Sequence, residues 1–278
     1  MKKIINKSIL LTEKQLQLPL NKDNGHIVVL AGSPGSGKSY SIENFTNITD
    51  HAAVLDIDTM KNHVRKSKTL RDKFKQWLNV AAKDDILFRD LTDLEIIDDG
   101  IMKDTNFNNY IHDFLTQNKY FYKKLNMVAK SDTKKNIILD GTLRYIPSVE
   151  NKIEILIDSG YSREKVHLVY VYTSLGLALS RNSARARMAS DTFVRGAYKD
   201  VMDNVMEIIR KKRIPSDGTG SFSIIVNEDG ANASNLVYYR IMKDGVWNEV
   251  ATKKFIDKIA ADILQYRQGI AAQKLTTK

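Results

Sequence analysis

Eight consecutive residues, Gly32-Ser33-Pro34-Gly35-Ser36-Gly37-Lys38-Ser39, carry the clearest chemical signal in the chain. They fit G-x-x-x-x-G-K-[ST], the pattern of a phosphate-binding loop. The spacing has a physical basis. Backbone N–H groups must converge on phosphate oxygens, so Gly35 and Gly37 stand where a Cβ would obstruct that approach. A helix opening at the end of the loop adds unpaired N–H groups and the positive end of its dipole. Lys38 supplies a mobile cation for the β- and γ-phosphates, and the Ser39 hydroxyl can ligate Mg²⁺. Gly32 to Ser39, with the adjoining Tyr40, form the expected nucleotide-binding set, with ATP and Mg²⁺ as the expected cofactors.

Three further groups could complete phosphoryl transfer. Asp58 ends the run Leu55-Asp56-Ile57-Asp58, where a carboxylate can accept the proton of an attacking hydroxyl. The alternative is a helix N-cap, a role open to Asp58 or Thr59. Asp140 follows Ile137-Ile138-Leu139 and has the form of a carboxylate that holds Mg²⁺ through water or binds substrate. Its alternative is an ordinary strand-end turn residue. Arg181 and Arg185, within Arg181-Asn182-Ser183-Ala184-Arg185-Ala186-Arg187, are spaced to face the same way on a helix. There they would stabilise charge on the transferring phosphoryl group; the alternative is a solvated basic turn.

These residues need elements to position them. The apolar run over 26–31 reads as a buried strand leading into the phosphate loop, and residues 39–45 can open a helix. A second strand is expected over 52–58, a third over 136–140, a fourth over 166–172 and a fifth over 221–226. Residues 59–135 are polar, charged and helical by pattern, with Tyr110, Phe114, Leu115, Phe121, Leu125 and Val128 on one apolar face. Pro147 favours a helix start, and Gly160 fits its stop. A longer helix follows the arginines, capped by Asp191 or Thr192. Segments 236–242 and 246–250 read as a hairpin, and a last helix spans about 253–268. A short helix near Thr12 precedes Pro19.

Strands alternating with helices predict a mostly parallel five-stranded sheet, an α/β fold of the P-loop NTPase kind. The expected organisation is an arm over 1–24, a P-loop domain over 25–230 and a hairpin plus helix over 231–278. The helical insertion occupies about 59–135 and a lid about 180–190. Ligands in such sheets bind beyond the carboxyl ends of the strands, so the loop, Asp58 and Asp140 should converge.

Composition narrows the surroundings. The chain of 278 residues has no cysteine, which excludes disulfides and thiolate metal sites and suits a reducing, cytoplasmic setting. No apolar run approaches a membrane span. Basic residues outnumber acidic ones 43 to 33, consistent with an anionic substrate. They gather at Lys61, Arg65, Lys66, Lys68, Arg71, Lys73 and Lys75; this cluster could attract a polyanion or form solvated helix faces.

The phosphate loop, Leu55-Asp56-Ile57-Asp58-Thr59-Met60 and Ile138-Leu139-Asp140-Gly141-Thr142-Leu143-Arg144 together resemble the zeta-toxin family of P-loop kinases. The arginine stretch resembles the lid of the related phage-type polynucleotide 5′-kinases. The resemblance covers about residues 27–206. It implies a nucleoside-kinase-like fold, Lys38 and Ser39 as phosphate and magnesium residues, and Asp58 as general base. It places Asp140, Thr142 and Arg144 at the substrate-contacting strand end, and Arg185 at the lid arginine. It also implies a substrate carboxylate in the insertion, for which Glu95 is the candidate, and a protein antitoxin or another regulatory partner. The activity so implied is transfer of the γ-phosphoryl group of ATP to a hydroxyl of a nucleotide-containing or other anionic acceptor, such as a nucleotide sugar. The alternatives are a polynucleotide 5′-hydroxyl kinase and, from another class, a non-catalytic ATP-binding assembly module.

Overall fold

A computed structural model of the chain describes residues 24–45, 52–185, 189–211, 213–227, 234–243 and 246–251, the last two segments in their backbone pairing alone. The expected N-terminal arm and last helix lie outside these residues.

Five parallel strands form the centre: β1 (Ile27–Ala31), β2 (Ala53–Leu55), β3 (Ile137–Asp140), β4 (Val166–Tyr172) and β5 (Ser221–Asn227). The hairpin strands β6 (Ser234–Lys243) and β7 (Val246–Ala251) pair antiparallel onto β5. The sheet therefore has seven strands in the order β2-β3-β1-β4-β5-β6-β7. Every residue of β1, β4 and β5 is buried, as strands covered on both faces require. Alternation divides β1 between two cores. Ile27, Val29 and Ala31 join the larger one, while Val28 and Leu30 pack with Ile42, Ile138 and Val169 on the other face.

The second strand is shorter than the apolar run suggests. β2 stops at Leu55, and α2 (Ile57–Lys66) begins two residues later. The cause is Asp56, whose carboxylate accepts from the N–H groups of Asp58 (3.1 Å) and Thr59 (2.8 Å). The N-cap is thus neither Asp58 nor Thr59. Asp58 lies in the first turn of α2 and not at a strand end.

The insertion is helical, with α3 (Lys68–Ala81), α4 (Asp93–Ile97), α5 (Thr105–Gln117) and α6 (Tyr120–Ala129). The single apolar face expected over 110–128 is divided between α5 and α6, because Lys119 adopts a left-handed conformation (φ 52°) and ends the first helix. Phe74, Phe107 and Phe114 form an aromatic core there, with ring centroids 5.3 to 5.8 Å from Phe74. Neither alternative for the basic cluster describes Arg65 and Arg71, which are 2% and 7% exposed. Arg65 donates to the carbonyls of Ile96 (2.9 Å), Ile97 (2.6 Å) and Asp98 (2.9 Å) and pairs with Asp99. Arg71 and Lys75 grip Asp93. These cations turn inward and bind the acidic segment 93–99 to α2 and α3.

After β3, α7 (Ile146–Asp158) carries Pro147 in its first turn, and Gly160 ends it at φ 95°. Following β4 come α8 (Leu175–Ser183) and α9 (Asp191–Lys211). Ser190, and neither Asp191 nor Thr192, caps α9: its hydroxyl accepts from Phe193 N at 3.2 Å. No helix among the described residues is long and apolar enough to cross a membrane.

Candidate active site

Parallel strands bring all their carboxyl ends to one edge, and the candidate residues gather there. The phosphate loop leaves β1 at Ala31 and runs into α1 (Lys38–Phe45). Its turn is closed by Ser36 N donating to Ser33 O at 3.1 Å. Gly35 and Gly37 have φ of 85° and 81°, a region that side chains rarely adopt. The space around them has a different owner from the one the pattern suggests. A Cβ at Gly35 would strike the carbonyl of Ala178 in α8, and one at Gly37 would strike the side-chain amide of Asn227 at the end of β5. Protein neighbours, as well as any bound phosphate, demand the glycines. Ser33 is buried, Pro34 half-buried, and Ser39 and Tyr40 are exposed on the first turn of α1.

Lys38 is half-buried, and its Nζ donates to the carbonyls of Gly32 (3.1 Å) and Ser33 (3.5 Å). Burial lowers its pKa; the carboxylates of Asp140, Asp56 and Asp58 act against that shift, and Arg185 acts with it. Asp140, the last residue of β3, is shifted up by burial and by Asp56 and Asp58, while Lys38 and Arg185 hold it down. Lys38, Asp56, Asp58, Asp140 and Arg185 therefore share one electrostatic field. A half-buried carboxylate with a raised pKa at a strand end suits Mg²⁺, which takes one or two carboxylates and completes its shell with water and phosphate oxygens. Ser36 Oγ, 1% exposed, has no hydrogen-bond partner among the described residues. The residues present fit a magnesium–triphosphate group.

On the other side of Asp58, α2 and α5 build a polar wall. Lys61 Nζ lies 4.0 Å from Asp58 Oδ1 and 3.4 Å from Asn108 Oδ1. His112, one turn beyond Asn108, has its pKa lowered by partial burial and by Lys61, with Asp113 and Asp58 opposing. Asn108 and His112 carried no signal in the sequence, because only the packing of α5 on α2 brings them to Asp58. Glu95 is elsewhere: its carboxylate accepts from Thr92 N and Oγ1, both at 2.7 Å, and closes a capping box on α4. Those bonds lower its pKa. Glu95 is a cap.

Two other expectations change in detail. Arg181 and Arg185 do not share a helix face, since α8 ends at Ser183 and Arg185 lies beyond its C-cap, Ala184. Both still approach the loop. Arg181 Nη1 donates to Asn227 O at 3.2 Å, and Arg185 acts electrostatically on Lys38 and Asp140. Asn182, 2% exposed, is bonded to Ala189: its amide accepts from Ala189 N (3.1 Å) and donates to Ala189 O (2.8 Å). Thr142 meets the phosphate loop through its carbonyl, 3.4 Å from Gly32 N. Arg144 is committed to α9: Nε and Nη2 bond Asp200 Oδ2 at 3.0 and 2.9 Å, and its guanidinium lies over Phe193 at 4.8 Å.

No protein-family profile matches the sequence, and no curated protein sequence is significantly similar to it. Among solved structures, the chain is similar to one from the AvrRxo1-ORF1:AvrRxo1-ORF2 complex with sulphate ions, at TM-score 0.48 and 14% identity over 85% of this chain. The same complex solved with ATP gives a TM-score of 0.48 at 14% identity over 86% of this chain and 64% of that one. This chain spans 63% of the length of the protein in the sulphate-bound complex. A structure from the PezAT chromosomal toxin–antitoxin system of Streptococcus pneumoniae is similar at TM-score 0.45 and 14% identity, over 89% of this chain and 88% of that one.

Proposed function

We propose that the chain is an ATP-dependent phosphotransferase that moves the γ-phosphoryl group of ATP to a hydroxyl of an anionic, nucleotide-containing acceptor such as a nucleotide sugar. The observation that carries this reading is the phosphate loop between β1 and α1, with Lys38 Nζ on the carbonyls of Gly32 and Ser33, Asp140 at the end of β3, and Asp58 relieved of capping by Asp56. Gly32 to Tyr40 would hold the triphosphate, and Ser39 and Asp140 would hold Mg²⁺, whose charge would support the β- and γ-phosphates. Lys38 releases the carbonyls of the loop and binds phosphate oxygens. Asp58 accepts the proton of the acceptor hydroxyl. Because phosphoryl-transfer transition states are loose, the hydroxyl needs little activation. Arg181 and Arg185 supply positive charge from the lid over about 180–190. Asp140 and Thr142 border the acceptor, and Arg144 can contact it only by leaving Asp200.

The inward-facing Arg65 and Arg71 remove part of the basic surface that would favour a long polyanion, so a small acceptor is preferred over a polynucleotide. An antitoxin or another regulatory protein remains the expected macromolecular partner, and the cytoplasm the expected setting. The test is transfer from labelled ATP to a panel containing nucleotide sugars and a 5′-hydroxyl oligonucleotide, with Lys38→Ala protein as the blank. Label in a nucleotide sugar supports the proposal. Label in the oligonucleotide alone replaces it with the polynucleotide kinase reading, and ATP binding without transfer to any acceptor favours an assembly module.

A further inference from the structure

Asn227 belongs to no motif in the sequence, yet it touches both halves of the nucleotide site. It is the last residue of β5 and is 6% exposed. Its Nδ2 donates to Ser36 O at 2.8 Å, across 191 residues of chain, and its main-chain carbonyl accepts from Arg181 Nη1 at 3.2 Å. We infer that Asn227 is a positioning residue of the phosphate loop: its amide fixes the peptide between Ser36 and Gly37 so that the Gly37 N–H is presented to phosphate. The inference rests on the reading of this loop as an ATP site.

The argument follows from peptide geometry. In a trans peptide the carbonyl and the following N–H point in opposite directions. Anchoring Ser36 O toward β5 therefore commits Gly37 N–H to the opposite side, the inside of the loop. Gly37 is the residue best able to let that peptide turn over, because glycine populates positive and negative φ with similar ease. The amide of Asn227 thus restrains the most labile peptide in the loop. It also stands where a Cβ of residue 37 would project, so the requirement for glycine and the clamp are one feature. Donors that are already oriented cost no reorganisation when an anion binds, which raises affinity without adding a contact to it. The carbonyl of the same residue restrains Arg181, so the resting position of the lid helix and the shape of the loop are referred to one point at the end of β5.

The experiment compares Asn227→Leu and Asn227→Ala with the unsubstituted protein. Leucine keeps the approximate volume and introduces no charge, but it cannot donate to Ser36. Each protein is titrated calorimetrically with a non-hydrolysable ATP analogue in Mg²⁺, and its unfolding midpoint is measured without nucleotide. Both variants should bind about tenfold more weakly, the loss expected for one buried hydrogen bond. Both variants leave the Ser36 carbonyl without this donor and should lower the unfolding midpoint, so binding is measured well below each midpoint, where a loss of affinity reports positioning and not loss of the fold. Analogue binding by both variants within about twofold of the unsubstituted protein would overturn this inference and leave the kinase proposal standing. An unsubstituted protein that binds no analogue would overturn both. If neither variant folds, amide exchange in the unsubstituted, nucleotide-free protein decides. The Asn227 side-chain protons should be strongly protected, and exchange at the rate of a solvent-exposed amide would remove the clamp.

Discussion

Asp56 and Asp58 stand two residues apart and are divided in role by one turn of helix. Asp56 satisfies the N–H groups that open α2, and Asp58, with a side chain 55% exposed, faces Lys61. The two residues should separate in the test tube. Asp58→Asn should lose most of kcat while keeping nucleotide affinity, the pattern of an interaction made mainly in the transition state. Its unfolding midpoint should not move. Asp56→Ala should instead lower stability by about 1 kcal/mol through loss of the cap. Measuring kcat, nucleotide Kd and the midpoint on one preparation of each checks both halves; unchanged turnover in Asp58→Asn would return that residue to a structural role. Asp140 makes a different case. Its folded pKa is raised, so the folded state binds more protons than the unfolded chain between the ordinary carboxylate pKa and the raised one. Stability from this residue is fully present below that ordinary value and is lost as pH rises through the raised one. At neutral pH, without Mg²⁺, Asp140→Asn should therefore raise the unfolding midpoint. The difference from the unsubstituted protein should shrink on acidification, and thermal melts across the acidic range would show it. The same substitution should weaken Mg²⁺-dependent nucleotide binding, since a carboxylate that is costly to the empty fold is the one that receives the cation.

At the scale of elements, two internal clamps hold polar segments that have little apolar surface of their own. Asn182, near the end of α8, accepts from and donates to the backbone of Ala189. Asn182→Ala should make the Ala189 amide exchange faster in the absence of nucleotide, and a non-hydrolysable ATP analogue should slow it less than in the unsubstituted protein. Hydrogen exchange resolved at Ala189 checks this, and equal protection in both proteins would remove the clamp. Arg65 acts on a larger segment. It is buried, bonded to three successive carbonyls at the end of α4, and paired with an exposed Asp99. Removing it leaves those acceptors without their donor, so Arg65→Ala should cost about 3 kcal/mol, measured by urea unfolding. A lysine there cannot reproduce the planar fork of donors and should restore only part of the loss.

For the whole molecule, the antiparallel hairpin has a mechanical consequence. β6 and β7 cover the edge of β5, a strand buried along its whole length and ending in Asn227 beside the phosphate loop. Ending the chain after residue 233 should expose that edge, a template for pairing with other chains. The expected outcome is concentration-dependent association, visible as a shift in sedimentation, together with weakened analogue binding because the anchor of Asn227 loosens. A monomeric truncated protein with full affinity would make the hairpin dispensable to the site.

The sequence by itself determined the parts whose signal is local. The phosphate loop, the five parallel strands, the placement of Asp140 at a strand end and the helical character of the insertion all follow from short-range pattern. Phosphate chemistry constrains adjacent residues, and a strand covered on both faces reads as a largely apolar run. Tertiary structure decided which of two competing local roles a residue takes, and whatever depends on a neighbour that arrives from far along the chain. The run over 52–58 is apolar enough for one strand, but the Asp56 carboxylate captured the N–H groups of Asp58 and Thr59 and turned its last residues into a helix start. Glu95 has the charge of a substrate ligand, but its bonds to Thr92 make it a cap. Arg65 and Arg71 have the composition of a basic surface, but desolvation at those positions is offset by carbonyls and carboxylates of the acidic segment. Asn108, His112 and Asn227 reach the site through contacts tens to nearly two hundred residues long, and no spacing in the chain encodes such a contact.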